Sequence, residues 1–467
     1  MIFSRKKLIL NLQSKIKDAL KLLNGDYGNV TVILKGKKVL GLLTEGDLRR
    51  ALLNGYGLEE PLKNLMNKNF FYLYESDLKN FNKLKDKIQD SNFDLFFSFP
   101  LVNKKKELIN IIQIDKNYLT SSSDKNNISL NNIYPKKPFV LIIGGGNFIG
   151  SNLVQQILDK DWKVRVVDKF LYDRHSLDKF KNNKNLEIIN ADICDFETQI
   201  KSIDNVNCVV FLAEIVGDPS VKEKPHTALK TNFLALNSMA SLCANFGVNR
   251  FIYTSSCSVY GYTKGEKSLL TEKSLVNPQS YYARIKLFSE QCLMNITNEN
   301  FNPTILRLGT VFGKSHRQRF DLVVNTFSKS AHINKELNVF GGDQWRPNIH
   351  VSDVNKCIIH LIKDRSGKSF NKIFNLSNNN LNMKINDLAK KVSKVFKNSK
   401  LKIDKRLTDK RNYRVSSKKL KDEMGFVAKI DLETGINELK DFFNKNKNKN
   451  FDNKIYSNFE TLKDEYK

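Results

Sequence analysis

Apolar and polar positions alternate differently before and after residue 138, and each half predicts its own elements. Residues 139–143 are apolar throughout, and the run is short and closed by glycines, which predicts a buried strand. Residues 163–167 predict a second strand that ends on Asp168, and residues 251–254 a third. Between them a helix is expected from about Phe148, and a further helical pattern begins around Tyr282. Earlier in the chain, residues 30–34 and 38–43 predict two short strands around Lys35-Gly36-Lys37, followed by a helix over 46–53. Residues 101–103 and 108–114 read as two more strands. The polar run Thr120-Ser121-Ser122-Ser123-Asp124-Lys125-Asn126-Asn127 and then Pro135-Lys136-Lys137-Pro138 read as a linker. The expected organisation is a module over 1–119, a linker over 120–137, a larger domain over 138–445 and a polar basic tail over 446–467.

Composition changes this picture little. A chain of 467 residues is long enough for two or three domains with sizeable cores. The formal charge of +28 is spread as Lys, often beside Asn, with no recognition helix or single-strand-binding motif beside it. It reads as compositional drift at solvated positions, not as a nucleic-acid partner, although a positive field steers anionic ligands inward. Six scattered cysteines without a Cys-x-x-Cys predict reduced thiols, and the six histidines lack metal-ligand spacing. No apolar stretch reaches membrane-spanning length and no secretory leader is evident, so a cytoplasmic protein is expected.

The candidate chemistry lies in the larger domain. Gly144-Gly145-Gly146-Asn147-Phe148-Ile149-Gly150 follows a strand and opens a helix, an arrangement that lets backbone N–H groups and the helix's positive end approach a pyrophosphate. Asp168 stands where an acidic side chain accepts from an adenosine ribose. Tyr282 and Lys286, four apart, share one helix face, and Ser256 offers a hydroxyl where the strand 251–254 ends.

Together these residues resemble the extended short-chain dehydrogenase/reductases, in particular the NAD-dependent nucleotide-sugar epimerases and dehydratases. Further matches are Ala191-Asp192-Ile193, Phe211-Leu212-Ala213, Leu306-Arg307-Leu308-Gly309-Thr310-Val311-Phe312-Gly313 and the run from Gly341 to Val354. The resemblance implies an α/β fold, a Rossmann-like doubly wound parallel sheet with a smaller C-terminal α/β substrate domain. It implies NAD as cofactor, with Gly144, Asn147, Phe148, Ile149, Gly150, Asp168, Asp192, Ile193, Leu212, Ala213 and Lys286 around it. It also implies Ser256, Tyr282 and Lys286 as the catalytic set, Arg346 and Arg411 as ligands of a substrate diphosphate, and a homodimer. Asn147 replaces the middle glycine of the pattern, which predicts weaker cofactor binding. Lys286 is expected to lower the phenol pKa of Tyr282.

The run Gly41-Leu42-Leu43-Thr44-Glu45-Gly46-Asp47 resembles the end of a CBS domain, and a degenerate second copy is expected from about 80 to 115. This predicts an α+β CBS-like module, with Thr44 and Asp47 as candidate ligands of an adenine nucleotide or, alternatively, as a helix cap.

For the reaction, Ser256 is followed by Cys257 and Ser258, whereas the dehydratases carry an Asp-Glu pair there. C4 epimerisation through a transient 4-keto sugar needs only the residues present and is the first expectation. A 4-keto-sugar reductase, a sugar-acid decarboxylase and a non-catalytic NAD sensor are the alternatives.

Overall fold

The computed structural model describes residues 2–4, 9–23, 30–74, 96–115, 135–262, 269–297, 301–397, 399–404, 406 and 411–464. The chain parts into two compact units between Pro135 and Lys136.

In the first unit Val30–Lys35 pairs antiparallel with Lys38–Thr44, and Ile9–Asn11 lies parallel to the former. Ile33 and Leu43 are buried against Ile16 and Ala19 of helix Ile16–Leu23 and Leu48 and Ala51 of helix Glu45–Leu53. A second sheet runs in the order Ile2–Ser4, Leu108–Asp115, Phe96–Val102, Leu73–Tyr74. Most of the expected second copy before residue 96, and most of the expected linker, lie outside the described residues.

The second unit is built on a seven-stranded parallel sheet in the order Leu186–Asn190, Val164–Asp168, Val140–Ile143, Cys208–Phe211, Arg250–Ser256, Asn302–Leu308, Lys372–Leu376. All four residues of Val140–Ile143 are fully buried, as the unbroken apolar run requires of a strand covered by helices on both faces. Strand order reverses direction beside this strand, and in doubly wound sheets the ligand crevice opens at that reversal. The rear of the sheet is filled by Leu141, Val209, Phe211, Phe251 and Ile305, each contributing roughly 1.5–3 kcal/mol by burial.

The C-terminal part of this unit has its own core. Helices Val323–Ile333, Ile385–Val395 and Leu432–Lys445 pack Val324, Leu388, Ile436 and Phe443 together beside the parallel pair Glu336–Phe340 and Lys400–Asp404. A smaller sheet joins Thr310–Phe312, Trp345–His350 and Asn382–Lys384.

Residues 446–464 differ from the tail expected. Phe451 and Leu462 are buried, and Asn458–Asp464 is a helix. The few apolar residues in a Lys/Asn-rich stretch are placed where they can be covered, which the average polarity of the segment conceals.

Candidate active site

The site grows out of the turn after Ile143. Gly144 has φ +87°, and a Cβ there would lie 2.5 Å from the Ala213 nitrogen, so the close approach of the turn to the next strand end requires glycine. At Gly150 a Cβ would meet the Gly144 carbonyl oxygen at 2.4 Å, which seats helix Gly150–Leu158 directly on the turn. Asn147 does not adopt the left-handed backbone that its side chain would tolerate. Its Oδ1 instead accepts from the N–H groups of Ile149 (3.0 Å) and Gly150 (2.7 Å), and its Nδ2 donates to the Leu212 carbonyl at 2.9 Å. The amide satisfies early helix donors that have no partner within the helix. The same bonds occupy the Ile149 and Gly150 N–H donors.

Asp168 accepts from the N–H of Gly146 at 2.8 Å and of Phe170 at 2.7 Å. Burial pushes its carboxyl up, against those two bonds. Beside it opens a cleft lined by Gly144, Gly146, Asn147, Asp192, Ile193 and Ala213, which brings together most of the residues assigned to a cofactor. Asp192 accepts from the Cys194 N–H at 2.9 Å, with the Lys169 ammonium 3.7 Å away. A glycine cradle that a Cβ would fill, next to a half-buried carboxylate, fits the adenosine and pyrophosphate of a dinucleotide.

A second cavity of about 590 Å³ continues from this cleft, and Asn147, Tyr172 and Glu214 line both. Ser256, Tyr282, Lys286, Arg346 and Arg411 all face it, as do Phe148, Ile149 and Leu212. Strand Arg250–Ser256 delivers Ser256 to its wall. Beneath, Ser255 donates to Glu290, whose carboxylate also takes Arg307 Nη2 at 2.7 Å and Nε at 3.0 Å, so the strand end rests on a fully paired buried network. Helix Tyr281–Asn295 is capped by Ser280, whose Oγ accepts from the Ala283 N–H at 3.2 Å. This start puts Tyr282 and Lys286 on the face turned to the strand.

Lys286 is only 2% exposed, and its ammonium donates to the Thr254 carbonyl and to the Glu214 carboxylate. Glu214 also accepts from the Tyr253 hydroxyl at 2.9 Å. Burial pushes Glu214 up and Lys286 down, each toward its neutral form, and the contact between them opposes both displacements. The expectation that Lys286 lowers the pKa of Tyr282 is reversed. Burial first, and then the negative charge of Glu214, hold the phenol well above its ordinary value, while hydrogen bonding with Ser256 works against them. Glu214 compensates the ammonium that was to act on Tyr282.

On the same cavity wall Arg346, 7% exposed, donates from Nη1 to the Trp345 carbonyl at 2.8 Å and to the Arg411 carbonyl, and stacks 5.5 Å from the Tyr413 ring. Arg411 is paired to Asp218 at 2.5 Å. Sequence reasoning missed Glu214, Asp218, Arg317 and Arg319, which face the same cavity. One signal was available for Glu214, an acidic residue directly after the apolar Phe211-Leu212-Ala213 strand end.

Thr44 and Asp47 are placed differently. Thr44 Oγ1 accepts from the Asp47 N–H at 3.1 Å, Asp47 Oδ2 accepts from the Thr44 N–H at 2.8 Å, and Arg50 pairs with Asp47 at 2.6 Å. This is a reciprocal capping box on helix Glu45–Leu53.

Among the described residues no group of His, Cys, Asp and Glu is arranged to hold a metal ion, no helix is long and apolar enough to cross a membrane, and the six cysteines are free thiols.

Residues 140–377 match the family described as NAD dependent epimerase/dehydratase, and residues 2–54 match the CBS domain. The chain is 30% identical over 239 residues to the uncharacterized UDP-glucose epimerase YtcB of Bacillus subtilis (strain 168), covering 48% of this chain and 72% of that protein. It is 25% identical over 238 residues to UDP-glucuronic acid decarboxylase 1 of Xenopus tropicalis, covering 50% of this chain and 55% of the relative. Among solved structures, the UDP-N-acetylglucosamine 4-epimerase of Methanobrevibacter ruminantium M1, in complex with UDP-N-acetylmuramic acid, superposes with a TM-score of 0.60. That match is 26% identical and covers 67% of this chain and all (100%) of the other.

Proposed function

The chain belongs to the NAD dependent epimerase/dehydratase family, and from that premise we propose that it inverts C4 of a nucleotide sugar through a transient 4-keto intermediate. The observation that carries this reading is one cavity lined by Ser256, Tyr282 and Lys286 and also by Arg346 and Arg411. A reacting hydroxyl and a diphosphate, the two groups of a nucleotide sugar, each have side chains suited to them on its wall.

The glycine turn, Asp168 and the cleft around Asp192 and Ile193 would hold NAD, which when bound would supply a reversible hydride acceptor. Tyr282, in the ionised form that hydrogen bonding with Ser256 favours and that burial and Glu214 oppose, takes the proton from the C4 hydroxyl as that carbon is oxidised, and gives it back when the carbon is reduced on the other face. Ser256 donates a hydrogen bond to the same oxygen and shares its developing charge. Lys286, steadied by Glu214 and the Thr254 carbonyl, holds the proton-accepting end of the site. The planar guanidinium of Arg346 suits bidentate contact with a diphosphate, and Arg411 joins it by exchanging Asp218 for a phosphate oxygen. Elimination of water has no acid/base pair after Ser256. The Cys257 thiol is buried, donates to the Arg307 carbonyl, and is pushed far up by burial.

A second reading, decarboxylation of a nucleotide-linked sugar acid, is favoured by one observation. Arg317 and Arg319 put two cations on the wall of this cavity, beyond the pair assigned to the diphosphate. Incubation of the purified chain with a panel of nucleotide sugars and sugar acids, with and without NAD, resolved by chromatography and mass, separates the readings. Epimerisation gives an isomer of unchanged mass and no net reduced cofactor. Loss of carbon dioxide supports the second reading, and no conversion of any panel member sinks both.

A further inference from the structure

The wall of the proposed substrate cavity includes one residue, Asn458, of a stretch that the sequence marks as a polar tail. Residues 451–464 are anchored at both ends. Phe451 packs 5.9 Å from the Phe320 ring and 5.0 Å from that of Phe443. Leu462 is fully buried against Ile215, Val221 and Ile285. Between the anchors, three positions hold the loop that carries Arg317 and Arg319. The Ile455 carbonyl accepts from Arg317 Nη2 at 3.1 Å, the Tyr456 carbonyl accepts from the Phe320 N–H at 2.8 Å, and the Asn458 N–H donates to Asp321 Oδ2 at 2.9 Å. Asp321 in turn grips Arg319 with two hydrogen bonds, at 2.8 and 3.1 Å.

Asn458 is 3% exposed and borders the cavity that Tyr282 faces, yet its Oδ1 has no hydrogen-bond partner. Arg317, on the same wall, is 1% exposed and its Nε is also without one. Buried polar atoms without partners are rare in folded proteins, and two on one cavity wall are what a bound polar ligand would satisfy.

We propose that residues 451–464 are part of the active site, positioning the Arg317–Asp321 loop and presenting the Asn458 amide to a hydroxyl of the substrate's sugar. This rests on the nucleotide-sugar reading above. Asn458 then governs substrate affinity, and the segment as a whole governs the place of Arg317 and Arg319.

The test uses the full chain in three forms, wild type, Asn458→Ala and Leu462→Asp. Asn458→Ala is expected to raise KM for the nucleotide sugar about fivefold, the loss of one or two neutral hydrogen bonds, with kcat and NAD affinity nearly unchanged. Leu462→Asp undocks the helix Asn458–Asp464, so it is expected to raise KM further and to speed hydrogen exchange of the Phe320 and Asn458 amides. NAD titration of that variant checks that the parallel sheet is still folded. Wild-type KM in both variants overturns the proposal. A wild-type chain that turns over no nucleotide sugar instead overturns the function proposed above. Amide exchange then still decides the positioning role, since protection lost in Leu462→Asp supports it and amides already at solvent rates in the wild type overturn it.

Discussion

Two regions of this chain carry a Thr/Asp or Tyr/Lys pair at helical spacing, and their polar atoms are disposed in opposite ways. At the start of helix Glu45–Leu53, Thr44 and Asp47 bond to each other and to Arg50, and the residues that perform the cap are the same ones offered to a nucleotide. Along helix Tyr281–Asn295 the cap falls to Ser280, two residues before the pair begins, which leaves Tyr282 and Lys286 to face a cavity. The difference shows that a motif is available for chemistry when another residue meets the local demands of the backbone. Where the motif itself meets them, a ligand has to compete with the cap.

The sharpest way to break this comparison is Tyr282→Phe, which removes the transferable proton and little volume. Turnover is expected to fall about 100-fold or more while calorimetry with NAD is unchanged, and near-normal turnover would mean that the cavity pair is as idle as the capping pair. Arg346→Ala comes next. Loss of charge-assisted hydrogen bonds to a diphosphate should raise KM roughly 10- to 100-fold, seen in initial-rate kinetics with the substrate found in the panel.

Glu214→Gln sharpens the comparison electrostatically. Removing a negative charge beside the phenol favours its ionised form, so the pKa of Tyr282, held up in part by Glu214, should fall. The group must be deprotonated to accept a proton, and the rising limb of the pH–rate profile should therefore move to lower pH. A limb that stays in place, or moves to higher pH, would show that Glu214 does not act on Tyr282.

With Asp168 assigned to the ribose, where a carboxylate would accept a hydroxyl and repel a 2′-phosphate, Asp168→Ser is expected to weaken NAD relative to NADP. Parallel titrations with the two cofactors measure the ratio, and an unchanged ratio removes Asp168 from the ribose site. The smallest effect is expected at Asp47→Ala, which should lower the stability of the first unit by about 1 kcal/mol through the lost cap and leave turnover alone. Titration of the wild type with AMP checks the other half. Heat that disappears in Asp47→Ala would show that the cap doubles as a nucleotide site and would erase the contrast.

Much of the fold was legible locally. The strands over 139–143 and 163–167 were read to within a residue, and Asp168 proves to be the last residue of its strand. The strand at 251 continues through Ser255 to Ser256, farther than its apolar pattern suggests, because parallel neighbours supply hydrogen bonds that polar residues use equally well. The placement of Ser256, Tyr282, Lys286, Arg346 and Arg411 on one cavity agrees with the motifs, but their environment was not legible. The direction of the Tyr282 shift was set first by burial and then by Glu214, neither of which the motif contains.

What the sequence determined by itself is whatever repeats within a few residues. A strand closed by glycines, a hydroxyl at a strand end and two side chains four apart on a helix are dictated by backbone geometry, and they need no knowledge of distant partners. The tertiary structure alone decided which charges meet. Lys286 finds Glu214 across 72 residues of chain, and the Asn458 N–H reaches Asp321 across 137. No periodicity encodes such pairings. They follow from the order in which strands are laid into the sheet and from which few apolar residues of a polar segment can be buried, and both are outcomes of packing the whole unit at once.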